Sequence, residues 1–348
     1  MVEGSQKVSL NAADYNSESI EHLEWNEAIR KRPGMYIGNT GDGSYPDDGI
    51  YILVKEVLDN AVDEYAAGFG KSIDIQIEDT TVRIRDFGRG IPPGKLIQAA
   101  SQMHTGGKFN TKNYKVSVGL YGVGLKAVNA TSDYFHVESF QNGHSTWAEF
   151  SAGELTGKGE SETKERNGTL IVFHADDTIF TGYKYNLDFI TNMVKNYSYL
   201  HAGLTLRLNG DEYISKNGLL DLVKDNLSEA PLYEPIHLIG DGIEIVITHG
   251  DINGEDIASF VNGQNTTRGG THLAAFREGV AKTLKDFYKK DYDPSDVRES
   301  LIGAVSVEVM EPIFGDQTKT KLNSKDVNKD EGPSIRSFVC DFIQEHLD

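Results

Sequence analysis

The stretch "EVLDNAVDEYAAG", residues 56–68, decides how the first half of this 348-residue chain is read. Just upstream and within it, Ile50, Leu53, Val54, Val57, Leu58, Ala61 and Val62 recur at helical spacing, which predicts a helix over residues 50–67. The same helix carries Glu56, Asp59, Asp63 and Glu64, with the amide of Asn60 among them, more charge than a simple outward face requires. Glu56 and Asn60 lie four residues apart and so share a face. A carboxylate there can polarise a water, and an amide oxygen one turn on can hold a hard cation that keeps several waters of its own. Alone, such a pair is ordinarily a solvated surface, since Glu and Asn are mostly exposed. The case for chemistry rests on the rest of the chain.

Working outward, "SIDIQIEDTTVRIRDFG" (72–88) alternates apolar and polar residues around a short polar turn and reads as a hairpin, with Asp86 at a strand end before the turn "FGRGIPPG". Upstream, residues 1–20 form a polar arm, and "SIEHLEWNEAIRKRPGMYIG" (19–38) is a short helix stopped by Pro33. Residues 101–124 hold five glycines and little helical pattern, the profile of a functional lid or a disordered connection. "LKAVNATS" resumes a helix, and strands follow at "DYFHVESF", "TWAEFS", "GTLIVFHAD" and "LTLRLNGDEYI", the last turning on Asn209-Gly210. The fold class expected is α+β, a mixed, largely antiparallel sheet layered with helices. A second unit begins near residue 229, after the helix "GLLDLVKDNL", which divides the chain into 1–228 and 229–348. It holds strands "GIEIVITHG", "IASFVNG" and "LIGAVSVEVM" and helices over 271–290 and 333–346, the order of a smaller α/β domain. In the 271–290 helix Leu273, Phe276, Val280, Leu284 and Phe287 make one apolar face, and Lys282, Lys285 and Lys289 share another.

Composition bounds the function. Hydrophobic residues at 38% and charged residues at 25% are ordinary for a globular protein. With 34 Lys plus Arg against 53 Asp plus Glu, the formal charge is −19, which argues against a simple DNA-binding module and confines any DNA contact to a local basic patch such as those three lysines. The one cysteine, Cys340, reads as a small apolar residue buried on the last helix, and its solitude fits a reducing cytoplasm. No apolar run approaches the ~18–20 residues that span a bilayer, so no membrane contact is expected.

Three further stretches carry chemistry. In "DFGRG" (86–90) a strand-end carboxylate, Asp86, can accept a hydrogen bond from a base amine while glycines let the backbone pass close to the ring. "GLYGVG" (119–124) leads into a helix, where glycine amides can converge on phosphate oxygens beside the helix's partial positive charge. "GTL" (168–170) offers the Thr169 hydroxyl on a strand, though threonine is usual in strands for its shape. No G-x-x-x-x-G-K-[ST] loop occurs, which excludes the P-loop route, and no Rossmann glycine motif follows a first strand.

The order Glu-x-x-x-Asn, Asp-x-Gly-x-Gly, glycine-rich lid, Gly-Thr resembles the ATPase fold shared by gyrase, heat-shock chaperones, histidine kinases and MutL. "RKRPGMYIG" (30–38), "GGKF" (106–109), "RGGTHLAAF" (268–276) and "QTKTKL" (317–322) narrow the resemblance to the B-type chain of bacterial type IIA topoisomerases, gyrase or topoisomerase IV, in its N-terminal ATPase and transducer part. The resemblance implies ATP and Mg²⁺ as ligands. It makes Glu56 the general base, Asn60 the Mg²⁺ ligand and Asp86 the acceptor of the adenine amine, with Thr169 supporting through water. Gly88, Gly90 and Ile91 would line the nucleotide pocket with Asp86. Lys108, Tyr114, Gly119, Leu120, Gly122, Val123 and Gly124 would surround ribose and phosphates. Gln317 and Lys319 would reach the γ-phosphate from the second domain, and Tyr15 would cross into a partner's site. It further implies a homodimer closed by ATP, a topoisomerase A-type subunit that docks elsewhere on the protein, and double-stranded DNA. The sequence departs from the family at Tyr51-Ile52, where His-His is frequent, and at Tyr121, where the loop often holds histidine. Two other classes use similar parts: a histidine-kinase-like phosphotransferase, which needs a phosphoacceptor helix and has no place for "QTKTKL", and a non-catalytic ATP-binding adaptor, which needs no Glu56.

Overall fold

The structure, a computed structural model, describes residues 22–106, 122–315, 318–329 and 331–347. After α1 (Trp25–Lys31), Pro33 caps the short α2 (Gly34–Ile37), and the long helix expected from the opening stretch follows as α3 (Gly49–Ala66). The hairpin β1 (Ser72–Glu78) and β2 (Thr81–Asp86) ends at Asp86, and α4 (Leu96–Ser101) and α5 (Gly124–Ala130) stand either side of the glycine-rich segment. Then come β3 (Ser132–Gln141), β4 (His144–Ser151), β5 (Glu154–Glu162), β6 (Gly168–Ala175), α6 (Leu187–Leu200), β7 (Thr205–Leu208), β8 (Asp211–Tyr213) and α7 (Leu219–Asn226). The eight strands form one sheet in the order β5-β4-β3-β6-β2-β1-β7-β8, with β1 and β7 its only parallel pair among the described residues.

The pleat explains the layering. Ile73, Ile75 and Ile77 of β1 point to one side and join Val82, Ile84, Phe135, Val137 and Phe173 beneath α3, α5 and α6, while Asp74 and Gln76 point to the other side with Arg83, Arg85 and His136. That buried side takes the whole apolar stripe of α3, from Ile50 to Val62.

The remaining chain forms a second sheet from β9 (Ile236–Gly240), β10 (Ile243–His249), β11 (Glu255–Val261), β12 (Gln264–Asn265) and β13 (Leu301–Val307), ordered β12-β11-β13-β10-β9. Helices α8 (Thr271–Tyr288), α9 (Pro294–Arg298) and α10 (Ile335–Leu347) follow in this part of the chain, and α7 also packs on the sheet. Ile245, Ile247 and Val305 face α8 and α10, whereas Val246, Phe260 and Ala304 face α7. With both faces covered, β10 and β13 read as near-continuous apolar runs.

Several elements differ from expectation. β5, "ELTGKGESE", has no apolar alternation because it is an edge strand; it is held by backbone pairing to β4, and Gly157 and Gly159 leave room for the Trp147 ring. α6, β9 and α4 lie in segments where no element was expected, although α6 buries Ile190, Val194 and Tyr197 at helical spacing. Phe287 does not belong to the buried face of α8: it is 57% exposed, one residue before the end of the helix. Lys289 does not share a helix face with Lys282 and Lys285, since it is the left-handed C-cap (φ 53°), and Lys285 is engaged by Asp291. Cys340 is buried on α10, where its thiol donates to the Ala275 carbonyl at 3.4 Å.

Candidate active site

The acidic side of α3 is buried, not solvated. Glu56 is 8% exposed, Asp59 1% and Asp63 2%. Glu56 reaches the first residue of α5, and only glycine is compatible with that approach: a Cβ on Gly124 would lie 1.7 Å from Glu56 Oε2. The glycine-rich stretch is thereby joined to the expected base at its C-terminal end, where Gly122, Val123 and Gly124 lead into the helix. One turn along α3, the Asn60 amide nitrogen donates to the Glu56 carbonyl at 2.7 Å, a bond that sets the orientation of the amide oxygen. Among the described residues no cluster of three His, Cys, Asp or Glu side chains could hold a metal. The Asn60 side-chain oxygen could serve as one ligand of a hard cation that keeps several waters of its own.

At the far end of the same face, Asp86 closes β2. The Gly88 amide donates to its Oδ1 at 2.8 Å, and the Thr169 amide also bonds this carboxyl. Burial dominates over these bonds and pushes the Asp86 carboxyl up to about 6. β6 comes this close to β2 because Gly168 has no side chain: a Cβ there would lie 2.2 Å from the Asp86 carbonyl. Arg85, buried between the rings of Phe87 and Phe140, donates to the Asp86 and Arg166 carbonyls and ties the two segments together. Glu64 on α3 takes Arg89 in a two-pronged ion pair (3.0 and 2.8 Å) and accepts from the Arg89 amide, while Ser139 exchanges 2.8 Å bonds with the Ile91 amide and carbonyl. The Gly88–Ile91 turn is thus fixed against both helix and sheet.

From the second half of the chain, Lys319 enters this face 3% exposed, with its ammonium 3.8 Å from Glu56 Oε1 and 3.9 Å from Asp59 Oδ2. Asp59 also meets Lys55 Nζ at 3.1 Å, the Gln264 amide at 3.0 Å and the Tyr197 hydroxyl. Burial alone would raise the Asp59 carboxyl, but Lys55, Lys319 and the two hydrogen bonds outweigh it and hold Asp59 below its ordinary value. Sequence reasoning assigned Asp59, Lys55, Gln264, Tyr197 and Arg85 no role. It also passed over Lys126, 2% exposed on α5 and donating to the Thr105 carbonyl at 2.6 Å. The available signal was the surplus of acid on α3.

Of the residues named from sequence, the structure brings Glu56, Asn60, Gly122, Val123, Gly124 and Lys319 to the middle of α3, and Asp86, Gly88, Gly90, Ile91 and Thr169 toward its C-terminal end near Glu64. Tyr15, Lys108, Tyr114, Gly119, Leu120, Tyr121 and Gln317 lie outside the described residues.

Known proteins resemble this chain along nearly its whole length. Residues 46–179 match the family described as histidine kinase-, DNA gyrase B- and HSP90-like ATPase, and residues 188–348 match DNA gyrase B. The B-type chain of DNA topoisomerase 4 from Borreliella burgdorferi is 41% identical over 335 residues, 96% of this chain and 56% of that protein. The DNA gyrase B chain of Archaeoglobus fulgidus is 35% identical over 366 residues, 96% of this chain and 57% of that one. The 43K ATPase domain of Thermus thermophilus gyrase B, solved with an aminocoumarin, superposes with a TM-score of 0.71 at 27% identity, covering 93% of this chain and 90% of that one. The chain belongs to the gyrase B family. It spans a little over half the length of the Borreliella and Archaeoglobus relatives. The fold is shared more widely: the ATPase region of Saccharomyces cerevisiae topoisomerase II gives a TM-score of 0.77 at 20% identity, over 94% of this chain and 96% of that one.

Within the gyrase B family, the Tyr51-Ile52 departure has a structural explanation. Tyr51 is fully buried, donates to the Gly43 carbonyl at 2.7 Å and accepts from the Asn186 amide at 2.9 Å, so it pins the loop before α3 and takes no part in the acidic face. Ile52, half-buried one turn before Glu56, has no group that can bond the carboxylate. No helix among the described residues is long and apolar enough to cross a membrane.

Proposed function

We propose that this chain is the ATP-hydrolysing, nucleotide-gated clamp of a type IIA topoisomerase, carried on its B-type chain. The carrying observation is the meeting of Glu56, Gly124 and Lys319, three residues from distant parts of the sequence, beside Asn60. Asp86 accepts the adenine amine, with Thr169 assisting through water, and Gly88, Gly90 and Ile91 form the wall of the base pocket. Lys108, Tyr114 and the amides of the Gly119–Gly124 loop, Leu120 and Val123 included, surround ribose and phosphates. Glu56 takes a proton from water as the water oxygen bonds to the γ-phosphorus and the bond to the bridging oxygen breaks. Lys319 and Gln317 bind the γ-phosphate oxygens. Mg²⁺ at Asn60, when bound, offsets phosphate charge.

Clamp behaviour follows from entropy. Ordering a residue costs ~1–2 kcal/mol, so fixing the glycine-rich segment and the Tyr15 arm requires many phosphate contacts at once. ATP would supply them and close a homodimer, and loss of the γ-phosphate would release it. Coupling to strand passage of double-stranded DNA in the cytoplasm, with an A-type subunit, belongs to the whole protein. The relatives, B-type chains of topoisomerase and gyrase at 34–41% identity across 95–97% of this chain, favour this reading over a phosphotransferase or an adaptor. Phosphate release measured against protein concentration, with and without DNA, tests it: rates should rise with the square of concentration at low protein, and a first-order rate throughout would exclude the clamp.

A further inference from the structure

Two arms of the second sheet grip one carboxylate on α3. Gln264, at the start of β12, donates to Asp59 Oδ1 at 3.0 Å and accepts from Lys55. The loop bearing Lys319 is bound to the segment just after Gln264: the Arg268 amide donates to the Thr320 carbonyl at 2.9 Å, Leu322 to Gly269 at 3.0 Å and Thr271 to Leu322 at 3.2 Å. Lys319 itself holds a left-handed backbone (φ 60°), which a side-chain-bearing residue keeps only where its surroundings impose it. The segments bearing Gln264 and Lys319 are therefore tied to each other, and both side chains end on Asp59. Among the described residues the cluster holds two ammonium groups, Lys55 and Lys319, and two carboxylates, Glu56 and Asp59.

We propose that Asp59 is a positioning residue for the reaction: clamped by Gln264, its carboxylate shares Lys319 with Glu56 and so keeps the ammonium from closing on the base. This rests on the hydrolysis reading above. Glu56 can take a proton only while its lone pairs are not committed to a short ion pair. With Asp59 and Glu56 competing, Lys319 stands at nearly equal, long distances from both and can follow a γ-phosphate. Without the Asp59 charge, Glu56 is the better-placed anion, and the lysine that should bind phosphate would instead neutralise the base. The Gln264 clamp makes this arrangement dependent on how the second sheet sits against α3.

The test is a double-mutant cycle on the full chain, read as single-turnover phosphate release so that slow variants remain measurable. Asp59→Asn should lower the rate about tenfold while the ATP concentration for half-maximal rate changes by less than about threefold, and in a Lys319→Met background the same substitution should change the rate by less than about twofold. Gln264→Met, which keeps the volume and deletes both bonds, should slow the reaction in the same direction and should add little to Asp59→Asn. Equal losses from Asp59→Asn with and without Lys319, or a loss confined to ATP affinity, would overturn the proposal. Glu56→Gln, run alongside, separates the two ideas. A rate lost with Glu56→Gln but no coupling between Asp59 and Lys319 refutes the positioning role alone, and a rate unchanged by Glu56→Gln removes both.

Discussion

At the scale of single residues, burial converts ordinary polar types into specific chemistry. Glu56→Gln preserves the shape of the side chain beside Gly124, so it should bind an ATP analogue within about threefold of wild type yet lose at least about a hundredfold in phosphate release, the usual range for a general base. Asp86 yields a prediction with a definite sign. Its ordinary value of 3.8 rises to about 6 on folding, so between those pH values the unfolded chain gives up this proton first. Folding stability from this group therefore falls as pH rises from about 4 to about 6 and is level above. Urea midpoints measured across that window should show the fall in wild type and lack it in Asp86→Asn. The sequence singles out Glu56, Asn60 and Asp86 because the order of their motifs resembles that of a known ATPase family. Asp59 is not singled out, since its partners Gln264 and Lys319 are remote in the chain and a lone aspartate on a helix has no distinguishing pattern.

For whole elements, periodicity was a good guide wherever one face is buried and the other is not. α3, α8 and the β1–β2 hairpin follow it closely. β5 defeats it, being stabilised by backbone pairing to β4 and by the Trp147 ring, and neither leaves an apolar trace in its own sequence. The end of α8 defeats it in the opposite way: Phe287 keeps the apolar register of the helix but stands exposed near the end of its last turn. Chemical denaturation should therefore separate the two phenylalanines of that helix, with Phe276→Ala, fully buried, costing about 3–5 kcal/mol and Phe287→Ala within about 0.5 kcal/mol of wild type. At the start of α5, Gly124→Ala puts a methyl where the Glu56 carboxylate stands, and the carboxylate, the end of a flexible side chain, must turn away, so stability should change by less than about 1 kcal/mol while hydrolysis is lost. Differential scanning of the same protein preparations used for the rate assay would check both effects.

On the scale of the molecule, the two sheets meet at the acidic side of α3, and the expected clamp follows from that meeting. With a non-hydrolysable ATP analogue the chain should sediment as a dimer, and the same chain lacking residues 1–21 should remain monomeric, since the Tyr15 arm is the part expected to cross from one protomer to its partner. Replacing Lys282 and Lys285 by Glu tests the DNA surface; unchanged stimulation of ATPase activity by DNA would assign those lysines to a solvated face. Local order on this chain, its helices with apolar stripes and its hairpins, was legible in residue order because propensity, periodicity and turn chemistry act over a few neighbouring positions. The pairing of Lys319 with both Glu56 and Asp59, the hold of Gln264 on Asp59, and the placing of Arg85 between two rings emerged only on folding. Each joins residues far apart in the chain, and their energies depend on burial and distance, which residue order does not encode.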